Sequence, residues 1–201
     1  MPRKTIQINV NQLEIEKLKE AAKAVREGKV LIYPTETVYG IGASIFNEKA
    51  VKRVHKIKKE SENKPLSVAF SDVDSAAEFI EATPPQLEFM QERLPGPVTI
   101  VVTKKEPKFS PGGKLLSGIP NYVSSSKVGI RIPEYRAVRH LLTLSGPIAS
   151  TSANVHGEPA PWAFAQVKIK ADVMLNGGMC RYKKSSQVID MTTGTELRPW
   201  M

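Results

Sequence analysis

Gly146-Pro147-Ile148-Ala149-Ser150-Thr151-Ser152-Ala153-Asn154 reads as a short buried strand, entered through a Gly-Pro turn and left through a crowd of hydroxyl and amide side chains. Gly157-Glu158-Pro159-Ala160-Pro161 then stops any continuing regular structure. Ligands of α/β sheets sit at strand ends, and Ser, Thr and Asn supply the rotatable donors that anions and nucleotides need. A polar turn bonded to its own backbone would use the same residues. A second stretch of like character favours the ligand reading: Val30-Leu31-Ile32-Tyr33-Pro34-Thr35-Glu36-Thr37-Val38-Tyr39-Gly40-Ile41-Gly42. Here too an apolar strand runs into a polar cluster. Pro34 cuts the ladder, and the two glycines let the backbone approach a ligand closely.

Outward from these stretches the pattern alternates between strand and helix. Residues 5–10 read as a strand. Asn11 with Glu14 resembles a capping box, followed by an apolar stripe of Ile15, Leu18, Ala22 and Val25 that Gly28 ends. Asn47 caps a basic helix to about residue 59, with Ala50, Val51, Val54 and Ile57 inward and Lys52, Arg53, Lys56, Lys58 and Lys59 along it. Most of these cations suit a solvated face, whereas a lysine at the helix end near two polar strand ends suits a triphosphate. Further strands are predicted at 66–70, 98–103, 127–132, 173–175, 187–191 and 196–198, and helices at 72–81, 84–94, 134–143 and 160–170. Residues 106–126, rich in glycine and serine, read as a long mobile loop. Together they predict one α/β domain over residues 1–201, a twisted mixed β-sheet with flanking helices.

Composition agrees. The 201 residues are 41% hydrophobic, enough for one sizeable core. A net charge of +9 favours an anionic partner, nucleotide or nucleic acid. One cysteine, Cys180, excludes an internal disulfide framework and reads as a filler rather than a nucleophile. The three histidines, His55, His140 and His156, have no metal-ligand spacing, so no protein-held metal is expected. No signal-peptide run and no membrane-length apolar stretch is seen, and a cytoplasmic location is expected.

Six short motifs in order resemble the threonylcarbamoyl-AMP synthase, or YrdC-like, family over nearly the whole chain. They are Tyr33-Pro34-Thr35-Glu36-Thr37-Val38-Tyr39-Gly40, Lys58 with Pro65-Leu66, Leu94-Pro95-Gly96-Pro97-Val98-Thr99, Val128-Gly129-Ile130-Arg131-Ile132-Pro133, Thr151-Ser152-Ala153-Asn154, and Ser186-Gln187-Val188-Ile189-Asp190. The resemblance implies a YrdC-like fold with a concave basic face, in the short form without the extra C-terminal domain of longer members. It also implies a nucleotidyltransferase that condenses L-threonine, bicarbonate and ATP into threonylcarbamoyl-AMP and pyrophosphate, with Mg2+ on the ATP. The adenylate would pass to a threonylcarbamoyl transferase complex that modifies adenosine 37 of tRNA.

By the same resemblance Lys58 neutralises charge at the reacting phosphate, Ser152 and Asn154 bind phosphates with help from Ser150, and Arg198 lies near the nucleotide. Thr35 grips the threonine amine or hydroxyl, Arg131 its carboxylate, and Ser186 lies close by. Arg131 could instead pair with Glu36 or Glu134 for stability. Two departures stand out: Glu60 occupies the place of the family's second cation, and Ala69 that of a histidine. Glu60 is expected to turn away from the phosphates into a pair with a neighbouring lysine, leaving Lys59, Lys56 or Lys64 to supply charge. A module binding tRNA or double-stranded RNA and a catalytically impaired nucleotide-binding paralogue are the alternatives.

Overall fold

The computed structural model of the protein describes residues 3–113 and 115–200. From the N-terminus it runs β1 (Lys4–Gln7), α1 (Ile15–Arg26), β2 (Leu31–Tyr33), β3 (Gly40–Ser44), α2 (Glu48–Lys58), β4 (Ser67–Ala69), α3 (Val73–Ala77), β5 (Ile80–Glu81) and α4 (Pro84–Arg93). It continues with β6 (Val98–Lys104), β7 (Lys108–Phe109), β8 (Leu115–Ser117), β9 (Lys127–Arg131), α5 (Arg136–Ser145), β10 (Ile148–Ser152), β11 (Val173–Asn176), β12 (Gln187–Asp190) and β13 (Thr195–Arg198). The expected α/β class is what forms. An eleven-stranded mixed sheet has the order β1-β11-β2-β3-β10-β4-β9-β6-β12-β13, with β5 added on β6.

Side-chain alternation divides the core between the two faces of this sheet. Leu31 and Tyr33 of β2 and Ile148 of β10 pack with α1 and α5, through Leu18, Ala22, Val25, Val138 and Leu141. Ile32 and Ala149, pointing the other way, pack with α2, α3 and α4, through Val51, Val54, Ala76 and Met90. Strands covered on both sides read as continuous apolar runs, which is why 30–33 and 147–149 stand out in the sequence. In α2 the Asn47 side chain accepts from Ala50 N at 3.0 Å, the cap expected of it.

Several boundaries differ from the sequence reading. The predicted cap at Asn11 does not form; α1 starts at Ile15, and the Glu14 carboxylate accepts from Asn9 N at 2.6 Å. Residues 72–81 split into a short helix and β5, because Ile80 and Glu81 pair with Lys104 and Thr103. Residues 160–170 hold a 3-10 turn at Phe164–Gln166 in place of a helix. Pro159 and Pro161 disfavour helix around them, and the Gln166 side chain accepts from Trp162 N and Ala163 N. Val167, Ile169 and Ala171 are buried with a period of two, an extended rather than a helical signal. Within 106–126, β7 pairs with β8, and Leu115, Ile119 and Val123 join the core, so this segment is anchored rather than loose.

Residues 40–44 pair on both sides, with β2 and with β10, although their glycines mask them as a strand. The close approach that Gly42 permits is to a neighbouring strand: a Cβ there would meet Ala149 O and Ile148 Cγ2, both at 2.5 Å. Since β3 lies inside the sheet between β2 and β10, Gly42→Ala is expected to destabilise the protein by about 1–3 kcal/mol, the cost of overpacking a filled site. A urea-unfolding midpoint unchanged from wild type would contradict this packing.

Candidate functional site

Strand pairing lays hydroxyl groups in a row across one face of the sheet. Tyr33 Oη on β2 meets Ser150 Oγ on β10 at 2.6 Å. Ser150 pairs with Ser67 on β4, and Ser67 borders Gly129 of β9, where a Cβ would meet Ser67 Oγ at 2.6 Å and Thr99 Cγ2 at 2.8 Å. Thr99 Oγ1 on β6 meets Ser186 Oγ at 2.9 Å, and Arg198 of β13 reaches Ser186 through Nη2–Oγ at 3.1 Å and Nε–O at 2.7 Å. Glycines at 40 and 129 leave this floor low, because side chains there would fill it. Burial pushes the Tyr33 phenol above its ordinary value, with the Ser150 hydrogen bond opposing, so it stays protonated.

At the end of β10 the buried Lys58 ammonium donates to Ser152 O at 2.6 Å and Asn154 O at 2.9 Å. Burial pulls its pKa below the usual lysine value; Glu60 opposes that shift and Lys64 adds to it. A lysine has three N–H donors, so one remains for a ligand. Ser152 shares the Ser150 face by alternation. The Asn154 amide is turned toward the next loop, donating to Val155 O at 3.0 Å and Glu158 O at 2.7 Å. Its Oδ1 is buried without a hydrogen-bond partner.

The segment between β2 and β3 is fixed over the same end of the sheet. Glu36, fully buried, pairs with Arg131 at the end of β9 and accepts from Glu134 N at 2.9 Å. Arg131 also donates to Gly96 O and, at 3.1 Å, to Ile132 O. Burial lowers its pKa to about 10, with Tyr33 and Glu134 opposing, which leaves it charged at neutral pH. Thr35 Oγ1 lies 2.8 Å from Thr37 Oγ1 and donates to Val38 O at 2.6 Å. Tyr39 N donates to Pro161 O and Ala153 N to Tyr39 O, both at 2.8 Å, which ties this segment to the exit of β10.

A protein-family model described as Telomere recombination, Sua5/YciO/YrdC, matches residues 23–199. The chain belongs to the Sua5/YciO/YrdC family. It is 34% identical to the threonylcarbamoyl-AMP synthase of Pyrococcus abyssi, over 94% of this chain and 55% of that protein. It is 33% identical to the threonylcarbamoyl-AMP synthase of Pseudomonas fluorescens strain Pf0-1, over 91% of this chain and 97% of the other. The crystal structure of P. abyssi Sua5 complexed with L-threonine superposes with a TM-score of 0.81 at 32% identity, covering 94% of this chain and 54% of that one. Escherichia coli YciO, at 19% identity and a TM-score of 0.81, shares the fold.

Within this Sua5/YciO/YrdC domain, the residues singled out from sequence fall into three groups. Lys58, Ser150, Ser152 and Asn154 gather at the end of β10; Thr35 and Arg131 lie with the Glu36 segment; Ser186 and Arg198 touch each other. Arg131 is already engaged with Glu36, the structural pairing open to it from sequence. Glu60 pairs with Lys64 at 3.2 Å as expected, and its side chain is buried. Tyr33, Ser67, Thr99 and Gly129 were given no role in the sequence reading. A glycine inside the strand at 129 was the available signal; the hydroxyls emerge as a set through inter-strand register.

Removing one partner of a buried ion pair leaves an uncompensated charge. Glu36→Ala is therefore expected to cost about 3–5 kcal/mol of stability. Chemical denaturation measures it, and a loss below about 1 kcal/mol, the range of an exposed pair, would show that Arg131 finds another partner.

Proposed function

We propose that the protein condenses L-threonine, bicarbonate and ATP into threonylcarbamoyl-AMP and pyrophosphate. The observation that carries this is the buried Lys58 ammonium, held at the end of a strand whose Ser150 belongs to the hydroxyl row. The names of the relatives and the threonine bound to P. abyssi Sua5 support it. The threonine amine and bicarbonate give a carbamate with loss of water. A carbamate oxygen then attacks the α-phosphorus, and pyrophosphate leaves with the electron pair of the broken P–O bond. The protein's task is to hold these groups in line and to offset charge on the leaving phosphates.

In this reading Lys58 spends its remaining N–H on that charge, with Ser152, Ser150 and Asn154 against the phosphates and Arg198 near the nucleotide. Thr35 and Ser186 face the threonine. Arg131, with five N–H donors and three acceptors in the protein, directs what is left toward the carboxylate. Magnesium arrives as part of the substrate, held on the triphosphate by phosphate and water oxygens. The adenylate would feed a transferase acting on adenosine 37 of tRNA. Such work places the protein in the cytoplasm; among the described residues no helix is long and apolar enough to cross a membrane.

A tRNA- or double-stranded-RNA-binding reading has one observation of its own. Lys183 lies 5.2 Å from the Trp162 ring and Lys184 4.2 Å from the Trp200 ring, with exposed Arg181 beside them. Cations over aromatic rings suit stacked bases and phosphates.

Pyrophosphate release with ATP, Mg2+, bicarbonate and threonine decides between the two. Release from the wild type is expected to require threonine. In Lys58→Met it is expected to fall at least 100-fold, about 2.7 kcal/mol of transition-state stabilisation, while far-UV circular dichroism is kept. Salt-sensitive RNA binding without threonine-dependent release would replace the enzymatic reading.

A further inference from the structure

A carboxylate is tucked under the helix end that carries Lys58. His55 and Lys58 are both buried and, three positions apart, share one face of α2. Lys59 then takes a left-handed backbone, φ 56°, and the Glu60 N–H closes onto His55 O at 3.1 Å. That reversal folds the Glu60 side chain back toward the same face, where it is 1% exposed and its Oε1 lies 3.4 Å from His55 Nδ1. Its other oxygen faces Lys64 Nζ at 3.2 Å and His156 Nδ1 at 3.8 Å. Glu60 Oε1 and both His55 ring nitrogens are buried without a hydrogen-bond partner among the described residues. The turn after β10 ties the spot to Lys58, whose carbonyl accepts from His156 N at 2.9 Å.

We propose that Glu60 is a positioning residue that acts through Lys58: its buried carboxylate is the counter-charge that holds a buried ammonium at the end of β10. The inference rests on the reading of Lys58 as the cation at the reacting phosphate only for the use to which that charge is put. A buried carboxylate oxygen without a hydrogen bond has to be offset by positive charge nearby. A buried ammonium held by carbonyl dipoles alone has the converse need. Each group meets the other's. The titratable and charged groups around the pair are His55 on α2, Lys64 after it and His156 after β10, and the Ser152 and Asn154 carbonyls complete the surround of Lys58. Burial disfavours the Lys58 charge most, Glu60 restores it, and Lys64 opposes it. A second cation at position 60 would have opposed it further. Lys64 keeps 46% of its side chain exposed, so water screens its share, whereas Glu60 acts through protein at lower dielectric. At 1% exposure Glu60 touches no ligand, so its effect runs through Lys58.

Lysines labelled with carbon-13 at Cε let the Lys58 titration be followed by NMR in the whole chain, its signal assigned by its loss in Lys58→Met. Glu60→Gln, which keeps the side-chain shape and removes the charge, is expected to lower the Lys58 midpoint by at least about half a pH unit. Glu60→Asp, which keeps the charge, should stay closer to wild type than Glu60→Gln does. Should the amide not be accommodated, Glu60→Met removes the charge with an apolar side chain of similar length and is expected to act alike. Lys58 is charged below its midpoint and loses that charge as pH rises through it. Pyrophosphate release by the charge-free variants should therefore begin to fall at a lower pH than in wild type, a change that loosened packing alone would not produce. A Lys58 midpoint unmoved or raised in the charge-free variants overturns the inference and leaves the synthase reading in place. A midpoint that falls, in a protein whose wild type shows no threonine-dependent release, overturns that reading and leaves Glu60 the counter-charge of Lys58.

Discussion

The Arg131–Glu36 ion pair is the constraint on which the arrangement of the site depends. Two opposite charges out of water are tolerable only when their remaining hydrogen-bonding groups are also matched. Here Glu36 takes the Glu134 N–H, and Arg131 takes the Gly96 and Ile132 carbonyls. The bonds join the segment after β2, the end of β9, the entry to β6 and the start of α5. No apolar contact would specify that meeting as narrowly, because the guanidinium fork admits few orientations. The Glu36 carbonyl accepts from Tyr182 N at 2.8 Å, so the approach to β12 is held by the same residue.

From that anchor the polar face follows. Once the 34–39 segment is pinned, Tyr39 can bond through its backbone to Pro161 and Ala153, fixing the exit of β10. The exit presents its carbonyls to Lys58, and the Lys58 carbonyl in turn receives the His156 N–H. Each step satisfies a backbone group that would otherwise be orphaned. Cys180, buried nearby and with its thiol pushed up to about 12 by burial, adds packing and no nucleophile.

Much of this was legible in the chain. Ser150 to Asn154 and the 30–42 stretch revealed themselves through the abrupt change from apolar to polar residues, and Lys58 through its place at a helix end. The fold class followed from alternating strand and helix periods. What stayed hidden depends on partners distant in sequence. Gly40-Ile41-Gly42 is a central strand because β2 and β10 flank it, against its local preference. The hydroxyl row takes one residue from each of several strands, so register alone assembles it. The pairing of Glu60 with a lysine was expected, but its burial was not, because the left-handed turn at Lys59, uncommon for a lysine, is what carries it inside.

Burying Lys58 has a cost, seen in its lowered pKa, which the proposed reaction would recover where charge must be stabilised. An exposed lysine would meet a phosphate through water, at high dielectric and with four side-chain torsions to fix. Lys58 is already dehydrated and oriented by two carbonyls, so in the proposed reaction little reorganisation would be left for the moment when negative charge grows on the leaving group. The carbonyls that hold it carry only partial charges, so the ammonium keeps most of its field for an anion placed at its third N–H. In the proposed reaction a lysine so placed would gain interaction energy as further negative charge grows on the leaving pyrophosphate, beyond what the bound triphosphate already provides. That asymmetry is what separates a catalytic cation from one that merely binds.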